Sequence, residues 1–488
     1  MRWDRLEGRE MRRLALPEPA GRERPRPDLP PGTDLLPQIK HIVVLMMENH
    51  SYDNYLGMLH GRGEGFPLAA DGKPDVSNPG GNGGKVRAHH LASTRQVPRV
   101  PAQTWHATHV QWDGGTCEGF VRSVGTVPAR DRQHAPGGGD AIPMGYWDES
   151  DLPFYYGLAE TFPLADRWFS SCLGPTFPNR RFLISGTANG LIDDLPFDIV
   201  DYPENGTIFD MLTRHGISWV NYHPVHRERV VLRRLIGGRG VAGLRRLVSL
   251  GSWFPPLVKA VRGNKTFTAD LYPLGLARCM LHLRSIPQFL ADADAGNLPS
   301  FCIVDPDFDA WSEENPQDIR RGESFAAEII NRVMHGPAWR DTLLIWTYDE
   351  HGGYYDHVPP PEAVPPDDID GRTLRGLPRW LRAALRPVFP TYFGEHEAED
   401  AGPKRYDRLG FRVPAVIVSP YAKPGYVTSE VYDHTSVLKL VELKWNLPPL
   451  TRRDAAAAAP LDALDFGSPP PFLEPPDLPA PSLQWGSW

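Results

Sequence analysis

Cysteine is scarce, with four in 488 residues: Cys117, Cys172, Cys279 and Cys302 are widely spaced and form no Cys-x-x-Cys pair. That excludes a disulfide framework or a zinc knuckle and suits scattered buried thiols. Long apolar runs are missing too. No segment reaches the ~18 consecutive apolar residues of a membrane-spanning helix. Residues 1–35 are rich in Arg, Pro and Glu and lack the apolar stretch of a signal peptide, so a cytoplasmic protein is expected. Excess positive charge is absent as well. The 52 Lys and Arg against 60 Asp and Glu give a net charge of −8, which argues against a nucleic-acid partner.

What is present is enough for a large core. At 41% hydrophobic and 10% aromatic residues, the chain suits one large α/β domain with insertions, or two domains. Its organising stretch is Thr347 to His357, Thr-Tyr-Asp-Glu-His-Gly-Gly-Tyr-Tyr-Asp-His, directly after the apolar run Leu343 to Trp346. This reads as a buried strand that delivers polar residues at its C-terminal end, the edge where α/β sheets bind ligands. Crowded carboxylates raise one another's pKa unless a cation balances them, and a divalent metal is the natural balance. A second run, His41 to Met47, discharges the same way into Glu48-Asn49-His50-Ser51. Asn49 or Ser51 as a plain helix cap fits that segment alone, but pairing with Asp349-Glu350 favours a functional reading.

Elsewhere, residues 60–100 are loop-like and free of repeats. His106 and His109 share a helix face between Trp105 and Trp112, in either a structural or a cleft role. Leu152 to Ala159 reads as a helix and Ala165 to Cys172 as extended chain. A helical pattern starts near Asn179, so Thr176 stands just ahead of a helix N-terminus, as an ordinary cap or as an anion-facing group. Further strands are read over Ile217 to Tyr222, Leu298 to Val304 (ending in Asp305-Pro306-Asp307) and Arg412 to Pro420, and helices over Phe209 to His215, Ile286 to Ala293, a stretch ending at Met334, and Val437 to Trp445 with Asp433 or Thr435 as cap. Basic stretches at 226–262 and 379–386 fit a solvated face or an anionic lipid surface. From Ala455 the chain turns rich in Ala, Pro and Asp and is expected to run over the surface as a tail.

The blocks His41 to Gly57, Gly174 to Arg180, Leu343 to Pro361 and Tyr432 to Glu442 resemble, collinearly over about residues 35–448, the bacterial phosphoesterase family. That family includes phosphatidylcholine-preferring phospholipases C, plant non-specific phospholipases C and an acid phosphatase branch. The resemblance implies an alkaline-phosphatase-like α/β fold, a central mostly parallel sheet flanked by helices with irregular insertions. It implies an N-terminal arm (1–35), a catalytic domain (36–450, with insertions about 226–275 and 362–410) and a tail (451–488). It further implies a divalent metal held by Glu48, Asn49, Thr176, Asp349 and Glu350, with Thr176 as nucleophile. His351 and His109 are then catalytic, Arg180 steadies phosphoryl oxygens, and Asn49, His106, Asn179, Arg180 and His434 line the substrate. Hard oxygen ligands suit Ca²⁺, Mg²⁺ or Mn²⁺, with Zn²⁺ and iron left open.

The expected reaction is in-line attack by Thr176 and hydrolysis of the phosphothreonine. The expected substrate is a glycerophospholipid, reached through peripheral contact with a membrane surface, or else a small phosphoester. Two departures from many relatives stand out: Gln103-Thr104-Trp105 in place of His-Ser-Trp, and Glu314-Asn315-Pro316 in place of an acidic-His-Pro run. They leave open a catalytically impaired phospholipid- or phosphate-binding protein, against which the retained Thr176 and carboxylates speak.

Overall fold

The computed structural model describes residues 22–81, 83–133, 135, 139–194, 202–224, 268, 271–272, 279–367 and 406–486. The basic stretches at 226–262 and 379–386, and most of the two insertions holding them, lie outside the described residues.

The apolar runs assemble into one eight-stranded sheet. Its strands are β1 (His41–Met47), β2 (Leu164–Ala165), β3 (Trp219–His223), β4 (Leu283–Ser285), β5 (Phe301–Val304), β6 (Thr342–Tyr348), β7 (Ala415–Val418) and β8 (Val427–Thr428), in the spatial order β8-β2-β7-β6-β1-β5-β3-β4. All neighbours pair in parallel except that β7 runs antiparallel to both β6 and β2. The late strand read over Arg412 to Pro420 is therefore shorter than expected and reversed. Every residue of β6, and all of β1 beyond His41, is buried; strands covered on both faces have no reason to alternate. The class is α/β and consistent with an alkaline-phosphatase-like fold.

The principal helices are α1 (Tyr52–Leu56), α2 (Trp105–Trp112), α3 (Pro153–Thr161), α4 (Thr176–Ser185), α5 (Ile208–His215), α6 (Ile286–Asp294), α7 (Ile319–His335), α8 (Thr435–Trp445) and α9 (Arg452–Ala456). Helix α4 begins three residues earlier than its apolar pattern suggests. Pro175 is its cap and makes no side-chain capping bond, so Thr176 is the first helical residue and not an N-cap. Pro178 is tolerated in the first turn, where its missing N–H costs nothing. Neither expected cap of α8 holds: His434 is its cap and makes no side-chain capping bond, while Asp433, one residue earlier, accepts the Thr435 N–H at 3.0 Å.

Register places the site. Met47 lies opposite Tyr348, and Leu45 opposite Val304. Glu48, Asp349 and Asp305 therefore leave three adjacent parallel strands at the same edge. Both ends of the chain brace this sheet from outside. The Asn446 amide at the end of α8 donates to the carbonyls of Arg26, Leu29 and Pro30 in the arm. The Pro-rich tail does not hang free: the Phe472 ring packs on Phe162, Trp485 on Trp311 and Phe325, and the Trp339 indole donates to the Phe472 carbonyl at 2.8 Å.

Candidate active site

Glu48, Asn49, Thr176, Asp349 and Glu350, far apart in sequence, meet at the C-terminal edge of β1 and β6, all fully buried. Asp349 is held rigidly. Its Oδ1 accepts the backbone N–H groups of Asn49 (3.2 Å) and Glu350 (2.8 Å), and its Oδ2 accepts Arg180 Nε at 2.8 Å. Glu350 Oε2 accepts the Gly352 N–H at 2.7 Å. Burial, reinforced by neighbouring Asp349, drives the Glu350 carboxyl well above the ordinary range. Asn49 sits in the left-handed region (φ 68°), a strained conformation that an Asn tolerates better than most residues. The loop that closes the site, Glu350 to Tyr354, needs its two glycines. A Cβ on Gly352 would stand 1.8 Å from the Asn49 carbonyl oxygen, and one on Gly353 2.2 Å from that of Ala102.

The Asn49 amide lies 3.3 Å from Thr176 Oγ1. With its nitrogen turned toward the acids it donates to Glu350 Oε1 at 2.9 Å and Asp349 Oδ1 at 3.3 Å. With its oxygen turned the same way, the oxygens of Asn49, Thr176, Asp349 and Glu350 converge. That second arrangement is self-repelling alone and is what a hard cation requires. The donor set thus fits a divalent ion.

Several expected roles change. All five N–H groups of Arg180 are committed: Nε to Asp349, Nη1 to Asp305 (2.8 Å) and Thr268 (3.2 Å), Nη2 to the Met46 and Met47 carbonyls. It organises the strand ends and has no donor left for phosphoryl oxygens. Asn179 is likewise consumed, donating to the carbonyls of Gly174 and Pro175 and accepting from Cys172 N, and it shapes the turn before Thr176. His434 has its Nε2 against the Asp349 carbonyl (2.7 Å) and its Nδ1 under the Trp168 indole N–H (3.5 Å), so it also supports the strand end. Of the first-turn amides of α4, that of Phe177 donates to the Asp194 carboxylate at 2.9 Å and Pro178 has none, which leaves Thr176 N–H.

The histidines divide. His351 is buried between Gln111 Oε1 (2.7 Å) and Glu350 Oε2 (3.1 Å), and burial lowers its pKa to about 3, so it is a neutral imidazole at physiological pH. His109 is half-buried. It uses Nδ1 on the Trp105 carbonyl at 2.7 Å, stacks at 4.7 Å on the Trp105 ring, and its pKa is lowered by burial. His106 on the same helix is exposed. Trp105 in turn packs on Gly174, where a Cβ would meet its ring at 3.0 Å, so α2 walls the turn before Thr176. Gln103 stands with its amide 3.2 Å from that of Asn49, while Asn315 is tied to the Val97 and Val100 carbonyls.

Two tighter clusters of metal-ligating groups exist among the described residues: Asp53, Asp356 and His357, and His90, Asp148 and Asp151. The first already contains its cation, since Arg412 bonds Asp53 at 3.0 Å and Asp356 at 2.9 Å. The second forms the turn ahead of α3, with Asp148 N donating to Asp151 Oδ2.

Residues 39–448 match the family described as the Phosphoesterase family. The chain belongs to that family. It is 28% identical over 474 residues to phospholipase C A of Mycobacterium tuberculosis, covering 90% of this chain and 80% of that protein. It is 29% identical over 440 residues to non-specific phospholipase C1 of Arabidopsis thaliana, covering 86% and 69%. It is 28% identical over 471 residues to non-hemolytic phospholipase C of Pseudomonas aeruginosa, covering 91% and 60%. This phosphoesterase is a hydrolase acting on phosphoester bonds, and its substrates are phosphoesters. Sequence reasoning passed over Asp305, Gln111 and Arg412. For Asp305 the signal was there, a strand ending in an acid, as at Asp349. For the other two it was not, because their partners are 240 and 56 residues away.

Proposed function

We propose that the protein is a metal-dependent, phospholipase C-like phosphoesterase acting on glycerophospholipids, with Thr176 as nucleophile. The observation that carries this reading is the placement of Thr176. It is the first residue of a helix, its hydroxyl is buried, and it lies 3.3 Å from the Asn49 amide among the carboxylates at the sheet edge. Glu48, Asn49, Thr176, Asp349 and Glu350 would hold the divalent ion. Such an ion supplies charge neutralisation and a lowered pKa for a hydroxyl it touches, which a threonine needs at neutral pH.

In this reading Thr176 Oγ1 attacks phosphorus in line and its P–O bond forms as the bond to diacylglycerol oxygen breaks. The proton leaving Thr176 Oγ1 passes to the diacylglycerol oxygen through His109, whose Nδ1–H is held by the Trp105 carbonyl and whose Nε2 accepts the proton and gives it up again, a contribution commonly of ~10²–10⁴-fold. Water then attacks the phosphothreonine, releasing the phosphorylated headgroup and restoring Thr176. The Thr176 N–H and the Gln103 amide are the polar groups facing the phosphoryl oxygens. The similarity to phospholipases C supports the phospholipase C-like form of the reaction.

Thr176→Ala is expected to lower kcat/KM by at least roughly 10³-fold on phosphatidylcholine and on the p-nitrophenyl ester of phosphocholine. Undiminished hydrolysis would overturn the nucleophile, and activity indifferent to chelators would overturn the metal. A panel adding phosphomonoesters decides the substrate class: a preference for them would replace the phospholipase reading with a phosphatase.

A further inference from the structure

Beside the candidate metal carboxylates lies a fourth buried acid that none of the chemistry above uses. Asp305 leaves β5 next to β1 and is fully buried. It is saturated with donors: Arg180 Nη1 at 2.8 Å and Thr268 Oγ1 at 2.8 Å on Oδ1, Thr268 N at 2.7 Å and Asn221 Nδ2 at 2.8 Å on Oδ2. A carboxylate bound this tightly is a fixed point. The Arg180 guanidinium bridges it to Asp349 through a second 2.8 Å bond, and its planar fork transmits the orientation of one carboxylate to the other.

We propose that Asp305 is a positioning residue: acting through Arg180, with Thr268 bonded to both, it fixes the orientation of Asp349. This rests on the metal-site reading above. Shared between two acids, Arg180 leaves Asp349 with only part of its charge compensated. Without Asp305, the whole guanidinium falls to Asp349, which is then a poorer ligand for a cation. Partners one layer behind metal ligands commonly change metal affinity 10–100-fold.

The test is Mn²⁺ binding to the metal-free full-length protein by titration calorimetry, with kcat and KM measured alongside. Asp305→Asn is expected to weaken Mn²⁺ binding about 10–100-fold and to lower kcat more than it raises KM. Thr268→Val, nearly isosteric and removing one bond to each partner, is the variant that keeps the question open if Asp305→Asn fails to fold; it is expected to weaken binding by a smaller factor, with the metal-free melting temperature little changed. Unaltered Mn²⁺ affinity in Thr268→Val, or in a folded Asp305→Asn, overturns the proposal while leaving the metal site standing. Absence of Mn²⁺ binding in the parent itself, or parent binding that Glu48→Gln leaves intact, overturns the metal reading and this inference with it.

Discussion

At the scale of single residues, the backbone sets the site as firmly as the side chains do. Asn49 can hold its left-handed conformation beside the sheet edge because Gly352, also left-handed (φ 65°), leaves room for its carbonyl. Gly352→Ala places a Cβ 1.8 Å from that oxygen, so one of the two segments must move. It is expected to cost at least about 2 kcal/mol in chemical denaturation and to remove phosphoesterase activity. Gly425→Ala is the control. Its φ is also positive, but its Cβ meets only the end of the Arg62 side chain at 3.4 Å, so a cost of about 1 kcal/mol with activity unchanged is expected. The Gly352-Gly353 pair was legible in the sequence as a turn. Its purpose was not, because the obstructing carbonyls belong to Asn49 and Ala102, remote in the chain.

Among elements, the loop from β5 to α7 is held by buried acids as well as apolar packing. Glu313, in a left-handed conformation, accepts hydroxyls from Tyr55 (2.9 Å), Tyr155 (2.7 Å) and Tyr348, which belong to α1, α3 and β6. Burial pushes its carboxyl up to about 8, and burial does the same to Glu323 on α7, which caps the Phe154 N–H at 2.8 Å. A carboxyl raised in the folded state binds its proton more tightly folded than unfolded. Its contribution is therefore complete below the unfolded value near 4.5 and is lost as pH rises through about 8. Urea denaturation from pH 5 to 9 should accordingly show stability falling across this window. Glu313→Gln should flatten the slope by up to about 1.4 kcal/mol per pH unit, and curves parallel to the parent's would remove Glu313 from the account. Nothing local in Ser312 to Asn315 announced this cluster, since its three tyrosines come from three other elements.

On the scale of the whole molecule, both chain ends pack onto the sheet and its helices. The tail's composition reads as a loose surface run, but Phe472 and Trp485 find aromatic partners on Phe162, Trp311 and Phe325. Truncation after residue 466 should cost about 2 kcal/mol, from the loss of partly buried aromatic area. It should lower the melting temperature by several degrees and leave Mn²⁺ affinity intact; an unchanged melting temperature would show the strap to be idle. By itself the sequence determined the α/β class, the buried apolar runs His41 to Met47 and Leu343 to Trp346, and the acidic and amide residues delivered at their ends. Those features follow from apolar runs and from polar residues placed directly after them. Only the tertiary structure decided the reversal of Ala415–Val418, the earlier start of the Thr176 helix, the structural occupation of Arg180, Asn179 and His434, and the entry of Asp305 into the site. Each of these depends on which hydrogen-bond partner is nearest across the sheet, and that is set by strand order and register, not by neighbours in the chain.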